Sequence, residues 1–211
     1  MTDTIMIHGI EMIRQDDSIV SSFVKKGHYE NQSIEFMKKH LKPDEVFIDV
    51  GSYSGLYAIL SAKRGISSIA FEPVKKHYQR LLDNVSLNNV QDLVTTYNCA
   101  ILNEDVTQKP IYFTNKTVMN SAARFEENDN GSEIVDVTNT FHSIPKVCCM
   151  KIDVENSELS VLEVMDDIIK RDHPALIIET LTDRDEIELM RVLEKYKYRF
   201  EKTDIRNMLC Y

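Results

Sequence analysis

Five short apolar runs limit what this chain can fold into. They are "VFIDV" (46–50), "SSIAFE" (67–72), "DLVTTY" (92–97), "KVCCMKID" (146–153) and "PALIIE" (174–179). Each has the length of a strand buried on both faces. Amphipathic stretches separate most of them. Tyr78, Leu81, Leu82 and Val85 follow the i, i+3, i+4, i+7 spacing of one helical face, as do Leu189, Val192, Leu193 and Tyr196. Thr182, with Asp185 three residues on, reads as a helix start. Strand–helix alternation of this kind predicts an α/β fold, a mostly parallel sheet with helices on both faces. The 211 residues suit one domain, and 43% of them are hydrophobic, enough for a core.

Two parts break the alternation. Residues 98–145 separate the third run from the fourth, too many for one helical connection. Within them "KPIYFT" and "EIVDVTN" read as strands, with the turn-rich "NSAARFEENDNG" between. This predicts an inserted hairpin around 104–140, on the rim of the sheet, forming a wall of the substrate site. Ahead of the first run, "ENQSIEFMKKHLKP" reads as a helix, with Ile34, Met37 and Leu41 on one face and Pro43 past its end. Residues 1–45 are therefore expected to be a helical extension, a lid across the carboxyl edge of the sheet. Residues 46–211 are expected to form the main domain.

The first run ends in "FIDVGSYSGLYAI" (47–59). In an open α/β sheet this turn sits where strand order reverses, and ligands bind there. Gly51 lets the chain turn sharply, and Gly55 lets a ligand or helix approach closely. Backbone N–H groups at the start of the next helix face the ligand. Asp49 ends the strand, placed to accept a hydrogen bond from an amine or hydroxyl. "FEP" then sets Glu72 at the end of the second run, about 20 residues past Gly51, the spacing at which an acid meets a ribose diol. A dinucleotide fold would carry G-x-G-x-x-G, and Tyr53 stands where its second glycine belongs. S-adenosylmethionine has a ribose and no phosphate, so it needs less bare backbone, and Asp49 suits its ammonium group.

A second constellation is "MKIDVENSELSVLEVM" (150–165). Lys151, Asp153 and Glu155 alternate and share one side of an extended segment. Glu158 lies on the first turn of a helix, where an acid complements the dipole. That does not account for Asp153, at the carboxyl end of an apolar strand. Lys151 reads as a partner for Asp153 or Glu155.

These two segments, in this order, resemble the FkbM family of S-adenosylmethionine-dependent methyltransferases. The family shows a D-V-G-x-N-x-G-like turn, an F-E-P step and a K-I-D-V-E-G-x-E-like segment. "GHYE" (27–30) and "NCAI" (98–101) resemble further parts of it, so the likeness runs from about residue 27 to 180. It implies a Rossmann-like class I methyltransferase fold, S-adenosyl-L-methionine as cofactor, and O-methylation of a hydroxyl on a sugar or other natural product. On this reading the cofactor is held by Asp49, Gly51, Ser52, Tyr53, Gly55, Glu72, Pro73, Asn98 and Ala100. His28, Tyr29, Glu30, Lys151 and His142 are candidates for substrate contact. The chain departs from the family pattern in three places. Tyr53 replaces a common asparagine, Asn156 a usual glycine, and "NTFHSI" lacks a leucine–aspartate pair.

Methyl transfer to oxygen is an in-line displacement that needs donor and acceptor aligned about 3 Å apart. It also needs a base for the hydroxyl proton. Asp153 is the first candidate, then Glu155, then Glu179 in "IIET", since neighbouring carboxylates and burial raise such groups toward a useful range. Two rival readings are a non-catalytic cofactor-binding relative and a nicotinamide-dependent oxidoreductase. The second would want a glycine at position 53.

A formal net charge of -9 argues against a nucleic-acid surface. No run of about 18 apolar residues is present, and the N-terminus shows no basic start followed by an apolar block, so a cytoplasmic protein is expected. Cys99, Cys148, Cys149 and Cys210 form no C-x-x-C pair and read as small buried hydrophobes. The acids at 153, 155 and 158 lack a D-x-D-x-D loop, and no metal is expected. The expected partner is a small-molecule or saccharide acceptor. Nine tyrosines and eight phenylalanines are enough to supply a homo-oligomer interface as well as a pocket.

Overall fold

The computed structural model describes residues 3–14, 30–113, 123–141, 143–180, 183–203 and 206–211. The described chain opens with a hairpin, β1 (Thr4–Ile7) and β2 (Ile10–Ile13), turned by His8 and Gly9, both at positive φ. Helix α1 (Asn31–His40) follows. Next come β3 (Val46–Val50), α2 (Leu56–Ala62), β4 (Ser68–Phe71), α3 (Lys75–Leu87) and β5 (Val94–Tyr97). The link to the next core strand holds β6 (Ala100–Ile101), β7 (Gln108–Phe113), β8 (Ala123–Arg124) and β9 (Ser132–Thr138), and no helix among its described residues. Then come β10 (Val147–Ile152), α4 (Glu158–Val164), α5 (Asp166–Asp172), β11 (Ala175–Glu179) and α6 (Asp183–Lys195). The chain closes with β12 (Phe200–Lys202) and β13 (Asn207–Cys210).

Seven strands form one sheet in the order β12-β13-β11-β10-β3-β4-β5. The five apolar runs are its parallel core, and β13 alone runs against its neighbours. This is the expected Rossmann-like arrangement, with the order reversing between β3 and β10.

Strand alternation splits the core. Phe47 and Cys149 face the layer of α1, α2 and α3, while Ile48, Val50, Met150 and Ile152 face α4, α5 and α6. Each such fully buried side chain contributes about 1.5–3 kcal/mol of burial free energy. Leu189 and Leu193 carry the apolar stripe of α6 onto the second layer.

The N-terminal segment corrects one expectation. Residues 4–13 are a β-hairpin rather than helix, and they lie against α2 and α3 rather than across the carboxyl edge. The buried side chain of Asn84 on α3 makes the join. Its Oδ1 accepts the Ile13 N–H at 2.9 Å, and its Nδ2 donates to the Ser54 carbonyl at 2.9 Å. Asn88 Nδ2 donates to the Glu11 carbonyl at 2.7 Å.

The long link is a small sheet in the order β6-β9-β7-β8. β7 and β9 pair antiparallel from Gln108↔Asp136 to Tyr112↔Ser132. Ile111, Ala123 and Val135 pack with Val74 and Ala100, so this sheet stands beside the carboxyl end of β4.

Candidate functional site

A cleft of about 190 Å³ opens at the carboxyl ends of β3 and β10, the point of strand-order reversal. The turn after β3 supplies Gly51 and Tyr53, and the end of β4 supplies Glu72, Pro73 and Val74. The small sheet supplies Ile111, Ala123 and Phe125 as an apolar wall. Asp153, Glu155 and Glu179 close the other side.

The turn after β3 is fixed by sterics. Gly51 has φ +78, and a Cβ there would lie 1.8 Å from the Asp153 carbonyl oxygen. Only glycine fits both the left-handed backbone and that approach. Tyr53 also has positive φ, and its N–H donates to Glu72 Oε2 at 2.8 Å. The Val74 N–H donates to Glu72 Oε1 at 2.9 Å. Each Glu72 oxygen thus accepts one backbone bond and keeps a second acceptor site. His77 Nδ1 lies 3.6 Å from Glu72 Oε1, and the Tyr53 ring sits edge-on to the His77 ring.

The opposite side is a network of acids around one buried lysine. Lys151 Nζ donates to Asp153 Oδ2 at 2.8 Å and lies 5.7 Å above the centre of the Tyr57 ring. The Tyr57 hydroxyl donates to Glu30 Oε2 at 2.5 Å. Asp153 and Glu179 end neighbouring strands and both line the cleft. Burial works against the Asp153 carboxylate, but the Lys151 ammonium holds it below the usual range. Burial and the Asp153 charge push Glu179 up to about 9. Burial likewise raises Glu30.

The loop after β10 carries strain. Glu155 and Asn156 both have positive φ, at 54° and 82°. Asparagine tolerates that region better than most residues, which is how Asn156 can stand where the resembling pattern has glycine. The N–H groups of Val154 and Asn156 donate to Glu158 Oε1 at 3.4 and 3.3 Å, so Glu158 ties the loop together. Burial pushes Glu158 up to about 7. Arg124 on β8 reaches across and donates to Glu155 Oε2 from Nη2 at 3.1 Å.

Of the residues expected at the site, Gly51, Tyr53, Glu72, Pro73, Ala100, Glu30, Asp153, Glu155 and Glu179 line the cleft. Five do not. Asp49 points into the helix layer, where its Oδ2 accepts the Ala58 N–H on the first turn of α2 at 3.2 Å. Ser52 turns back to the Phe71 carbonyl, with Oγ donating at 3.3 Å. Gly55 makes room for α3, since a Cβ there would lie 2.3 Å from Leu81 Cδ1. Asn98 sits behind the cleft and fixes the step after β4, its Nδ2 donating to the Glu72 and Pro73 carbonyls at 2.8 and 2.9 Å. Lys151 lies beneath the site, its side chain 2% exposed, holding Asp153. His28, Tyr29 and His142 fall outside the described residues. His77, Arg124, Ile111 and Phe125 were not legible as site residues. Their placement depends on helix phase and on an insertion that no local pattern locates.

Residues 49–200 match the Methyltransferase FkbM domain. The chain belongs to the FkbM methyltransferase family. Its fold agrees with solved structures at low identity. The Methyltransferase FkbM from Methylobacillus flagellatus KT has 17% identity and a TM-score of 0.56, over 94% of this chain and 56% of that one. This chain therefore spans little more than half that protein's length. A Precorrin-6y C5,15-methyltransferase from Geobacter metallireducens GS-15 has 14% identity and a TM-score of 0.54, covering 86% and 85%. The Pyrococcus abyssi tRNA (uracil-54, C5)-methyltransferase, solved with S-adenosyl-L-homocysteine, has 11% identity and a TM-score of 0.56, covering 99% and 43%. No curated protein matches the chain by sequence.

FkbM membership places the chain among the methyltransferases that use S-adenosyl-L-methionine. The donor set fits that group. Each Glu72 oxygen keeps an acceptor site beyond its backbone bond, the chemistry that a diol would need. On the far side four carboxyl groups, Glu30, Asp153, Glu155 and Glu179, meet three cations, Lys151, Arg124 and Arg206.

Proposed function

We propose that this chain methylates a hydroxyl oxygen on a small-molecule or saccharide acceptor. The observation that carries the reading is the Asp153–Glu179 carboxyl pair, seated at the cleft with Lys151 behind it. A carboxyl pair of this kind can take a proton from a hydroxyl as it attacks. When bound, S-adenosylmethionine supplies an electrophilic methyl on a positively charged sulfur.

Glu72 accepts the hydroxyls of a ribose, with its orientation set by the Tyr53 and Val74 amides. Pro73, Val74 and Ala100 offer the apolar surface beside it. Ile111, Ala123 and Phe125 exclude water from the facing side, and Glu30 narrows the opening. Asp153 holds the acceptor hydroxyl and draws off its proton, with Lys151 fixing the carboxylate in place. Holding both partners in line accounts for most of the rate. We place the protein in the cytoplasm. Four free thiols, Cys148, Cys149 and Cys210 among them buried, suit a reducing compartment. No helix among the described residues is long and apolar enough to cross a membrane.

The test is methyl-labelled S-adenosylmethionine with a panel of glycans and hydroxylated small molecules, read by mass spectrometry. Label on oxygen, lost in Asp153→Asn, supports the reading. Label on nitrogen or carbon alone removes the O-methyl assignment. Cofactor binding without transfer to any acceptor favours a non-catalytic relative.

A further inference from the structure

We propose that the Asp153–Glu179 pair holds one proton in the free protein and surrenders it to solvent when a positively charged donor enters the cleft. The pair would then distinguish S-adenosylmethionine from its neutral-sulfur product. This rests on the cofactor reading above.

The geometry sets the proton count. Asp153 and Glu179 end adjacent strands and line one cleft, and two carboxyl groups that share a site cannot readily both ionise. Lys151 is 2.8 Å from Asp153, so Asp153 is the ionised member and the proton sits on Glu179. The charges facing the pair come from every packed element. Asp49 lies across from Lys151 on β3, and Glu30 precedes α1. Glu155 follows β10, with Arg124 from β8 and Arg206 ahead of β13 beside it. With the pair itself counted, five carboxyl groups meet three cations, Lys151, Arg124 and Arg206. A second nearby negative charge on Glu179 is unfavourable until another cation arrives.

A sulfonium supplies that cation, and a thioether does not. Donor entry lowers the proton affinity of the pair, and the proton leaves Glu179 for the buffer. Both carboxylates are then charged. When the acceptor O–H bond breaks and the new O–CH₃ bond forms, the pair receives the hydroxyl proton. The sulfur, having kept the electrons of its bond to the methyl, is neutral again. The product complex thus ends with the proton back on the pair, the state that a neutral ligand suits.

The experiment is titration calorimetry in buffers of different ionisation enthalpy, with S-adenosylmethionine and S-adenosylhomocysteine as the probes. The amino-acid ends of the two are identical, so any proton they contribute cancels. Near pH 8 the donor should release up to about one proton more than the product. The ratio of donor to product affinity should rise with pH, by at most about tenfold per unit. Glu179→Gln keeps shape, and should abolish both effects while still binding both ligands. Equal proton release for the two ligands, or an undiminished difference in Glu179→Gln, overturns the proposal. If Glu179→Gln fails to fold, infrared difference spectra of the unaltered protein decide. A protonated-carboxyl band lost with the donor and kept with the product supports the proposal, and an unchanged band overturns it. If neither ligand binds, the cofactor reading falls first and this inference with it.

Discussion

The carbonyl oxygen of Asp153 occupies the space where Gly51 would carry a side chain, 1.8 Å from the ideal Cβ position. The Asp153 N–H donates back to the Val50 carbonyl at 2.9 Å. The cofactor turn and the acid strand are thus one rigid unit. Gly51→Ala must force the backbone of β10 away, at a cost of about 2–4 kcal/mol, and should abolish S-adenosylhomocysteine binding with it. Gly55→Ala meets only the tip of Leu81, so it should cost about 1–2 kcal/mol and leave affinity within about threefold. Denaturant melts and calorimetry on both variants check this. Normal binding by Gly51→Ala refutes it.

Glu72 should tolerate neither alanine nor glutamine. Both oxygens accept backbone N–H groups, so an amide –NH₂ would face a donor on one side. Each variant should lose about 1.5–3 kcal/mol of S-adenosylhomocysteine affinity. Affinity retained in a folded Glu72→Gln would show that this acid does not meet the ligand.

Asp153→Asn should lower turnover by about 10²–10⁴-fold. It also strips the partner from buried Lys151, which should cost on the order of 3 kcal/mol of stability. Adding Lys151→Met should restore stability and leave turnover low. Recovery of both together would make Asp153 purely structural.

Stability of the free protein should fall as pH rises from about 4 to 9. Burial raises Asp49 and Glu158 to about 7, and Glu179 to about 9. Between the ordinary and the raised value, the folded protein keeps a proton that the unfolded chain has lost. Each such group therefore costs up to about 1.4 kcal/mol per pH unit inside its window. Urea melts near pH 5.5, 7 and 8.5 should show the decline. Asp49→Asn should flatten its lower part, since an amide oxygen can still accept the Ala58 N–H. A rise in stability over this range would contradict the burial of these acids as neutral groups.

The parallel core was readable because strands buried on both faces are apolar throughout, and their ends define the cleft. Glu72, Asp153 and Glu179 accordingly stand at strand ends and line the cleft. The same continuity hid the direction of Asp49. In "VFIDV" nothing alternates, so no pattern tells which face the acid serves, and it serves the helix. The hairpin at residues 4–13 did carry a signal, a His8-Gly9 pair between two apolar runs, each residue at positive φ as a two-residue turn requires. Arg124 carried none. Its meeting with Glu155 spans 31 positions and depends on how the small sheet stands against the large one.

That standing divides the cleft between two stretches of chain. One side is made of strand ends pinned by their neighbours across the large sheet. The facing wall of Ile111, Ala123 and Phe125 belongs to a single excursion that leaves after β5 and returns at β10. The excursion is a cassette. Grafting its counterpart from a relative would change what the cavity admits without touching Gly51, Glu72 or Asp153. The Arg124–Glu155 clasp, the Glu133 bond to the Lys75 N–H and the Asn103 bonds to Ser160 and Glu163 would have to be matched across the seam.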